Sequence, residues 1–250
     1  MDVSFQDSRR REALRHLFRP DPDAAHAALD EYIEEHPRDA LAHSLNAAVT
    51  FYHHISSRMP EGPRAALANV LLGKGIVFPA ELKNELEADL GRARGYAKGQ
   101  CAGDLLALAI VEGIKRDYLA MVSQKWLASF ECARLASSHA RHLLKIDPTA
   151  HDAYFVLAMT EYMVHRIPAF LRPFAAIEGI RGDRKTAIRH CRTVLASGYY
   201  FQEFARRLLA DLYQDEGDRV NAMHELKILA AEYPGNVGIV KDLKKLAKGA

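Results

Sequence analysis

Residues 208–234 read Leu-Leu-Ala-Asp-Leu-Tyr-Gln-Asp-Glu-Gly-Asp-Arg-Val-Asn-Ala-Met-His-Glu-Leu-Lys-Ile-Leu-Ala-Ala-Glu-Tyr-Pro. Within them Leu209, Ala210, Tyr213, Ala222, Leu226 and Pro234 follow one another at spacings of 1, 3, 9, 4 and 8. Apolar residues so separated line one face of a helix, pause at Gly217-Asp218 and resume on a second helix. The small Ala210 and Ala222 let the two helices approach closely. Leu209, Tyr213 and Leu226 fill the space between them, and Pro234 stops the second helix because it cannot continue the hydrogen-bond ladder.

Working outward, the same ending recurs. Ala-Glu-Tyr-Pro-Gly-Asn at 231–236 matches Glu-Glu-His-Pro-Arg-Asp at 34–39 and Lys-Ile-Asp-Pro-Thr-Ala at 145–150. Three triplets repeat the spacing of the second helix: Ala25, Leu29, Tyr32; Ala136, Ala140, Leu143; and Ala187, Cys191, Val194, the last before Gly198 rather than a proline. First-helix positions follow in register at Ala47 and at Leu157-Ala158, with Tyr154 at an aromatic position. No stretch alternates with period two, and Ala and Leu dominate, so the chain reads as all-α. The pattern predicts helices near 7–18, 22–36, 38–56, 64–73, 79–98, 102–121, 123–146, 150–165, 183–197, 200–216, 218–232 and 236–247.

These landmarks resemble the tetratricopeptide repeat, a unit of about 34 residues built from two antiparallel helices. The resemblance implies one α-solenoid domain over 1–250, a right-handed superhelix of helix pairs near 7–37, 123–148, 150–198 and 200–234. Segments 57–122 and 163–182 carry no landmarks and read as two inserted helical segments. The layout is most similar to bacterial tetratricopeptide-like proteins with a long insertion between repeats. Asp147-Pro148-Thr149-Ala150-His151-Asp152-Ala153-Tyr154, Glu161-Tyr162 and Gly182-Asp183 carry that likeness, which implies no particular activity. A more distant likeness, on repeat architecture alone, is to tetratricopeptide partners of periplasmic transporters.

Composition excludes several classes. With 34 Lys+Arg against 32 Asp+Glu the net charge is +2, and 49% of residues are hydrophobic, which argues against disorder and against dedicated nucleic-acid binding. Three cysteines, Cys101, Cys132 and Cys191, cannot organise a disulfide framework and read as small buried hydrophobes. The N-terminus lacks a basic then apolar leader and no stretch is apolar enough to span a bilayer, so the chain as written reads as cytoplasmic, or periplasmic if a precursor segment is removed.

Catalytic signatures are missing. There is no His-Glu-x-x-His, no phosphate-wrapping glycine loop and no nucleophile elbow. His139 and His142 share a helix face without a third ligand. Gly73 and Gly75 read as loop glycines, and Gly91 and Gly95 as marks of close helix packing. Trp126, the only tryptophan, reads as core. The sequence thus predicts a non-enzymatic protein with no cofactor or metal.

Two features point to binding. In the resemblance, first-helix positions face the concave groove: Asp152, Phe155, Met159, Tyr162 and Met163 in one unit, and Phe204, Arg207, Asp211, Gln214 and Asp215 in the last. Leu41, Ser44, Ala48, Phe51 and Tyr52 occupy the equivalent places after Pro37. Such a mixed lining suits an unidentified peptide or partner protein. Alternatively the insertions close the groove into a small-molecule pocket lined by Tyr154, Glu161, Tyr162 and Arg166. The second feature is charge. Between 165 and 192 seven basic residues face two acids, a local net of 7 − 2 = +5. Arg181, Arg184, Lys185, Arg189 and Arg192 recur near helical spacing, a patch for an acidic partner or an anionic ligand.

Overall fold

The computed structural model describes residues 8–19, 22–58, 76–167, 169–180 and 182–248, and these are helices and turns with no strand. In chain order the helices are α1 (Ser8–His16), α2 (Pro22–Glu35), α3 (Ala40–Arg58), α4 (Ala80–Tyr96), α5 (Ala102–Met121), α6 (Trp126–Ile146) and α7 (Ala153–Arg166). A single 3-10 turn (Ala169–Leu171) leads into the short α8 (Arg172–Ile177). Then come α9 (Arg184–Ser197), α10 (Gln202–Asp215), α11 (Arg219–Glu232) and α12 (Val237–Lys248).

The spacing that decides the sequence reading decides the packing. Ala25, Leu29, Tyr32; Ala136, Ala140, Leu143; Ala187, Cys191, Val194; and Ala222, Leu226, Leu229 are all 0% exposed. They lie on α2, α6, α9 and α11, and each triplet turns one strip of its helix onto the preceding and following helices. Packing follows chain order: α1 to α7 each lie against the next helix, α7 against α9, and α9 to α12 each against the next. Next-but-one contacts add α1 to α3, α3 to α5 and α5 to α7, with α7 also touching α10.

Helix starts are chemically marked. Two residues after Pro37, Asp39 accepts the Ala42 N–H at 3.0 Å; two residues after Pro234, Asn236 accepts the Ile239 N–H at 3.1 Å. A proline thus ends one helix and the polar residue two positions on caps the next. Asp183 and Asp218 cap α9 and α11 in the same way. Asp152 follows Pro148 but turns elsewhere. Its buried carboxylate accepts the N–H groups of Tyr199 (3.0 Å), Tyr200 (2.9 Å) and Phe201 (3.0 Å), the turn that leads into α10. It therefore ties the start of α7 to the start of α10.

The two ends of the chain meet. Phe18, just after α1, sets its ring edge-on to Phe204 of α10 at 4.8 Å and against Tyr233 at 5.4 Å. Arg15 donates to Glu232 at 2.5 Å and to the Tyr233 hydroxyl at 3.1 Å, and Asn236 donates to the Phe18 carbonyl at 3.1 Å.

Four expectations need correction or placement. The second insertion is helical as expected, and its helix is the short α8: Pro173 sits in the first turn, where a missing N–H has no helical partner to lose. The predicted helix at 64–73, with Gly73 and Gly75, lies outside the described residues. Cys101 is exposed and its sulfur accepts the Asp104 N–H at 3.4 Å at the start of α5, whereas Cys132 and Cys191 are buried. Gly91 and Gly95 mark no close approach, since a Cβ at either would meet nothing within 4 Å; Ala93 and Leu86 carry the buried face of α4 instead. Gly91→Ala is accordingly expected to stabilise the protein by about 0.8 kcal/mol, because alanine restricts the unfolded chain and fits the exposed helix. Urea denaturation reads the effect, and a lowered midpoint would show that the solvent face of α4 needs the glycine. Gly182 is the opposite case: a Cβ there would lie 2.5 Å from the His165 nitrogen, so the α7 and α9 termini meet backbone to backbone.

Candidate functional site: an apolar cavity between the helices

The inner ends of six elements surround a cavity of about 200 Å³. Helix α7 supplies Phe155, Met159 and Met163; α10 supplies Phe204, Arg207 and Leu208. Tyr52, Ile55 and Ser56 come from the last turns of α3, Asp117 and Met121 from the end of α5. The chain ends close it, with Leu17 and Phe18 on one side and Asn236, Gly238 and Ile239 on the other. The wall is thus mostly aromatic, methionine and aliphatic carbon, the surface that favours apolar contents.

Among the described residues, every polar side chain on this wall is already engaged within the chain. Tyr52 donates to Asp117 at 2.7 Å, and Asp117 also takes Arg116 at 2.7 Å, which reaches on to Thr160 at 3.1 Å. Burial, then the Asp117 carboxylate, raises the Tyr52 hydroxyl well above its ordinary value, so it stays protonated and donating. Arg207 binds Asp242 at 2.6 Å and Asp211 at 3.5 Å. Burial opposes its charge, but Asp211 and Asp242 outweigh it and hold the guanidinium above its ordinary value. Ser56 donates to the His53 carbonyl at 3.0 Å, and Asn236 is used at both ends of its amide.

Of the predicted groove residues, Phe155, Met159, Phe204 and Arg207 meet at the cavity, together with Met163 and Tyr52. Others do not face it. Asp152 holds the turn before α10, and Asp211 is buried behind Arg207. Tyr162 is fully buried beneath Arg166, whose guanidinium carbon stands 5.6 Å from the ring centre while Nη1 binds Asp215 at 2.5 Å. Glu161 and Tyr154 face α9 instead, Glu161 within 3.2 Å of His190 and the Tyr154 ring 5.1 Å from it. Leu41, Ser44, Ala48 and Phe51 are core. For the α7 residues the reason is packing: α5, α6, α9 and α10 all lie against this helix, and residues 155, 159 and 163 are the ones that face the cavity. Trp126 is half-buried and packs against both the main core and the small cluster around Phe130.

The basic patch is divided. Arg184 turns inward to the Asp215 carbonyl at 2.8 Å and Arg192 reaches the Tyr213 hydroxyl at 2.7 Å. Lys185 and Arg189 are exposed. Arg181 lies outside the described residues.

Sequence reasoning missed Leu17, Phe18, Met121 and Ile239, which belong to no repeat landmark. Among the described residues no group of three or more His, Cys, Asp or Glu is placed to hold a metal ion, and no helix is long and apolar enough to cross a membrane. No protein-family model matches the chain, and no curated protein matches it.

Proposed function

We propose that this chain is a tetratricopeptide-like right-handed solenoid that binds, without chemistry, a small apolar molecule in the cavity between its helices. The observation that carries the reading is the pairing inventory of the described wall: mostly apolar surface, with each polar side chain engaged by a partner within the chain. A ligand rich in hydrogen-bonding groups would lose its water and find no partners there. Size sets the class. A cavity of about 150 Å³ holds a benzene ring, so the 200 Å³ here suits a mono- or bicyclic aromatic or a short aliphatic chain. The peptide-groove reading is the weaker one on this geometry, because its polar anchors are engaged: Arg166 with Asp215, Arg207 with Asp242, and Asp152 with the turn before α10.

A thermal-shift series with indole, naphthalene derivatives and short alkanols tests the proposal. A binder at a hundred times its Kd should stabilise by about 2.7 kcal/mol. Met159→Trp, which fills the cavity, is expected to abolish the shift at a packing cost of about 1–3 kcal/mol. No shift with any probe, or the same shift in the filled variant, would remove the cavity from consideration.

A further inference from the structure

The insertion after α7 presents apolar side chains on both of its sides. Inward, Ala175 is buried and Leu171 packs with Phe130, Ile167 and Ile180. Outward, Phe170, Phe174 and Ile177, at i, i+4 and i+7, are 71%, 46% and 80% exposed. A surface helix normally turns polar residues to water. Here the outward stripe consists of two phenylalanines and an isoleucine. Leu127, 61% exposed, lies at the start of α6, next to Trp126, which packs against the same apolar cluster as Leu171.

The charges of this region are mostly basic, seven against two acids between 165 and 192. Between 167 and 180 the only charged residues are Arg172 and Glu178, and Glu178 is neutralised by Arg134 at 2.9 Å. Arg172 folds back to the His165 carbonyl at 3.0 Å, which keeps its guanidinium at the base of the stripe. Nearby, burial and then the charges of Arg184 and Arg172 hold the His165 imidazole below its ordinary value, although Arg184 itself turns inward to the Asp215 carbonyl. Lys185 and Arg189 are exposed on α9 with the capping Asp183 beside them, and Lys125 lies two residues from Leu127.

We propose that the 169–177 insertion is a membrane-surface anchor, which seats Phe170, Phe174 and Ile177 in the interface of an anionic bilayer while Arg172, Lys185 and Arg189 meet the headgroups. The proposal does not rest on the cavity. Net charge selects the occupant, since a basic excess next to exposed aromatic and aliphatic side chains is the pattern that anionic lipid surfaces attract. Area argues against a second copy. Taking about 200 Å² per large side chain, the stripe offers on the order of 400 Å², about half of what each partner buries in a standard interface. Interfacial insertion needs no complementary partner surface, so a patch of this size suffices.

Vesicle co-sedimentation tests it with the full chain. The protein is expected to sediment with equimolar phosphatidylcholine–phosphatidylglycerol vesicles and to bind pure phosphatidylcholine roughly tenfold more weakly or less. Brominated acyl chains should quench Trp126, which sits just beneath the stripe. F170S/I177S is expected to lose about tenfold or more in affinity, since membrane binding scales with buried apolar area, with an unchanged thermal melt because both side chains face solvent. K185E/R189E should weaken binding to the anionic vesicles only. Wild-type protein that stays in the supernatant, or an F170S/I177S variant that binds as well as wild type, would overturn the proposal. So would a dimer in sedimentation velocity that the same double variant dissolves, with no vesicle binding, which would make a second copy the occupant.

Discussion

Asp152→Ala is expected to destabilise the protein by about 4 kcal/mol, a drop of roughly 8–16 °C in Tm for a chain of this size. The carboxylate is buried and is the acceptor for three consecutive backbone N–H groups, those of Tyr199, Tyr200 and Phe201. Alanine leaves all three without that acceptor, each at a cost of about 1–3 kcal/mol less whatever water recovers. Asp152→Asn separates charge from shape. Burial raises the Asp152 carboxyl above its ordinary value against the pull of the three N–H groups, so a neutral isostere with one oxygen is expected to cost about half as much. Guanidinium denaturation of the two variants measures the difference. Equal, small losses in both would show that the turn before α10 finds other acceptors.

The second large effect lies at the other end. Asp39 accepts Arg10 at 2.7 Å and the Tyr32 hydroxyl at 3.0 Å while capping α3, and the Arg10 and Asp39 side chains are only 3% and 7% exposed. Asp39→Ala removes a helix cap and leaves a buried guanidinium without its carboxylate, an expected loss of about 3–5 kcal/mol. The pair itself carries far less than that, since two charges taken out of water repay most of their desolvation with each other. The double variant Arg10→Met/Asp39→Asn keeps the cap and removes both charges. It is expected to recover more than half of the loss, and a double variant as unstable as Asp39→Ala would mean that the ion pair contributes net stability.

Much of this framework is legible in the sequence because it is local. The triplets at spacings of 4 and 3 depend only on helical period, and all twelve of their residues are fully buried. The caps at Asp39 and Asn236 can be read two residues after a proline. Periodicity fails where it has no sign. It puts Gly91 and Gly95 on one strip of α4 without saying whether the strip faces neighbour or solvent, and solvent is where they lie. The prolines of the second insertion leave the bounds of its helix α8 unmarked, although the 170, 174, 177 spacing is present in the chain.

The cavity was half legible. Repeat position points to Phe155, Met159, Phe204 and Arg207, and these do line it. The remaining wall comes from contacts that no local pattern encodes: Phe18 and Asn236 are 218 residues apart in the chain and joined by a hydrogen bond. Asp152 and Tyr162 leave the lining for a different reason, since the turn before α10 takes the one and Arg166 covers the other. Which side of a first helix stays open depends on what the distant ends cover.

That meeting of the ends bears on how the molecule comes apart. A row of helices with two free ends loses its outermost members first, each at the expense of a single neighbour. Here α1 and the α11–α12 corner share the Arg15, Phe18 and Asn236 contacts, so neither end can peel away without also uncovering the other. Local opening at a terminus is thereby coupled to opening at the opposite terminus. Amide-exchange protection in the first and last helices should rise and fall together, as one cooperative unit rather than two fraying tails.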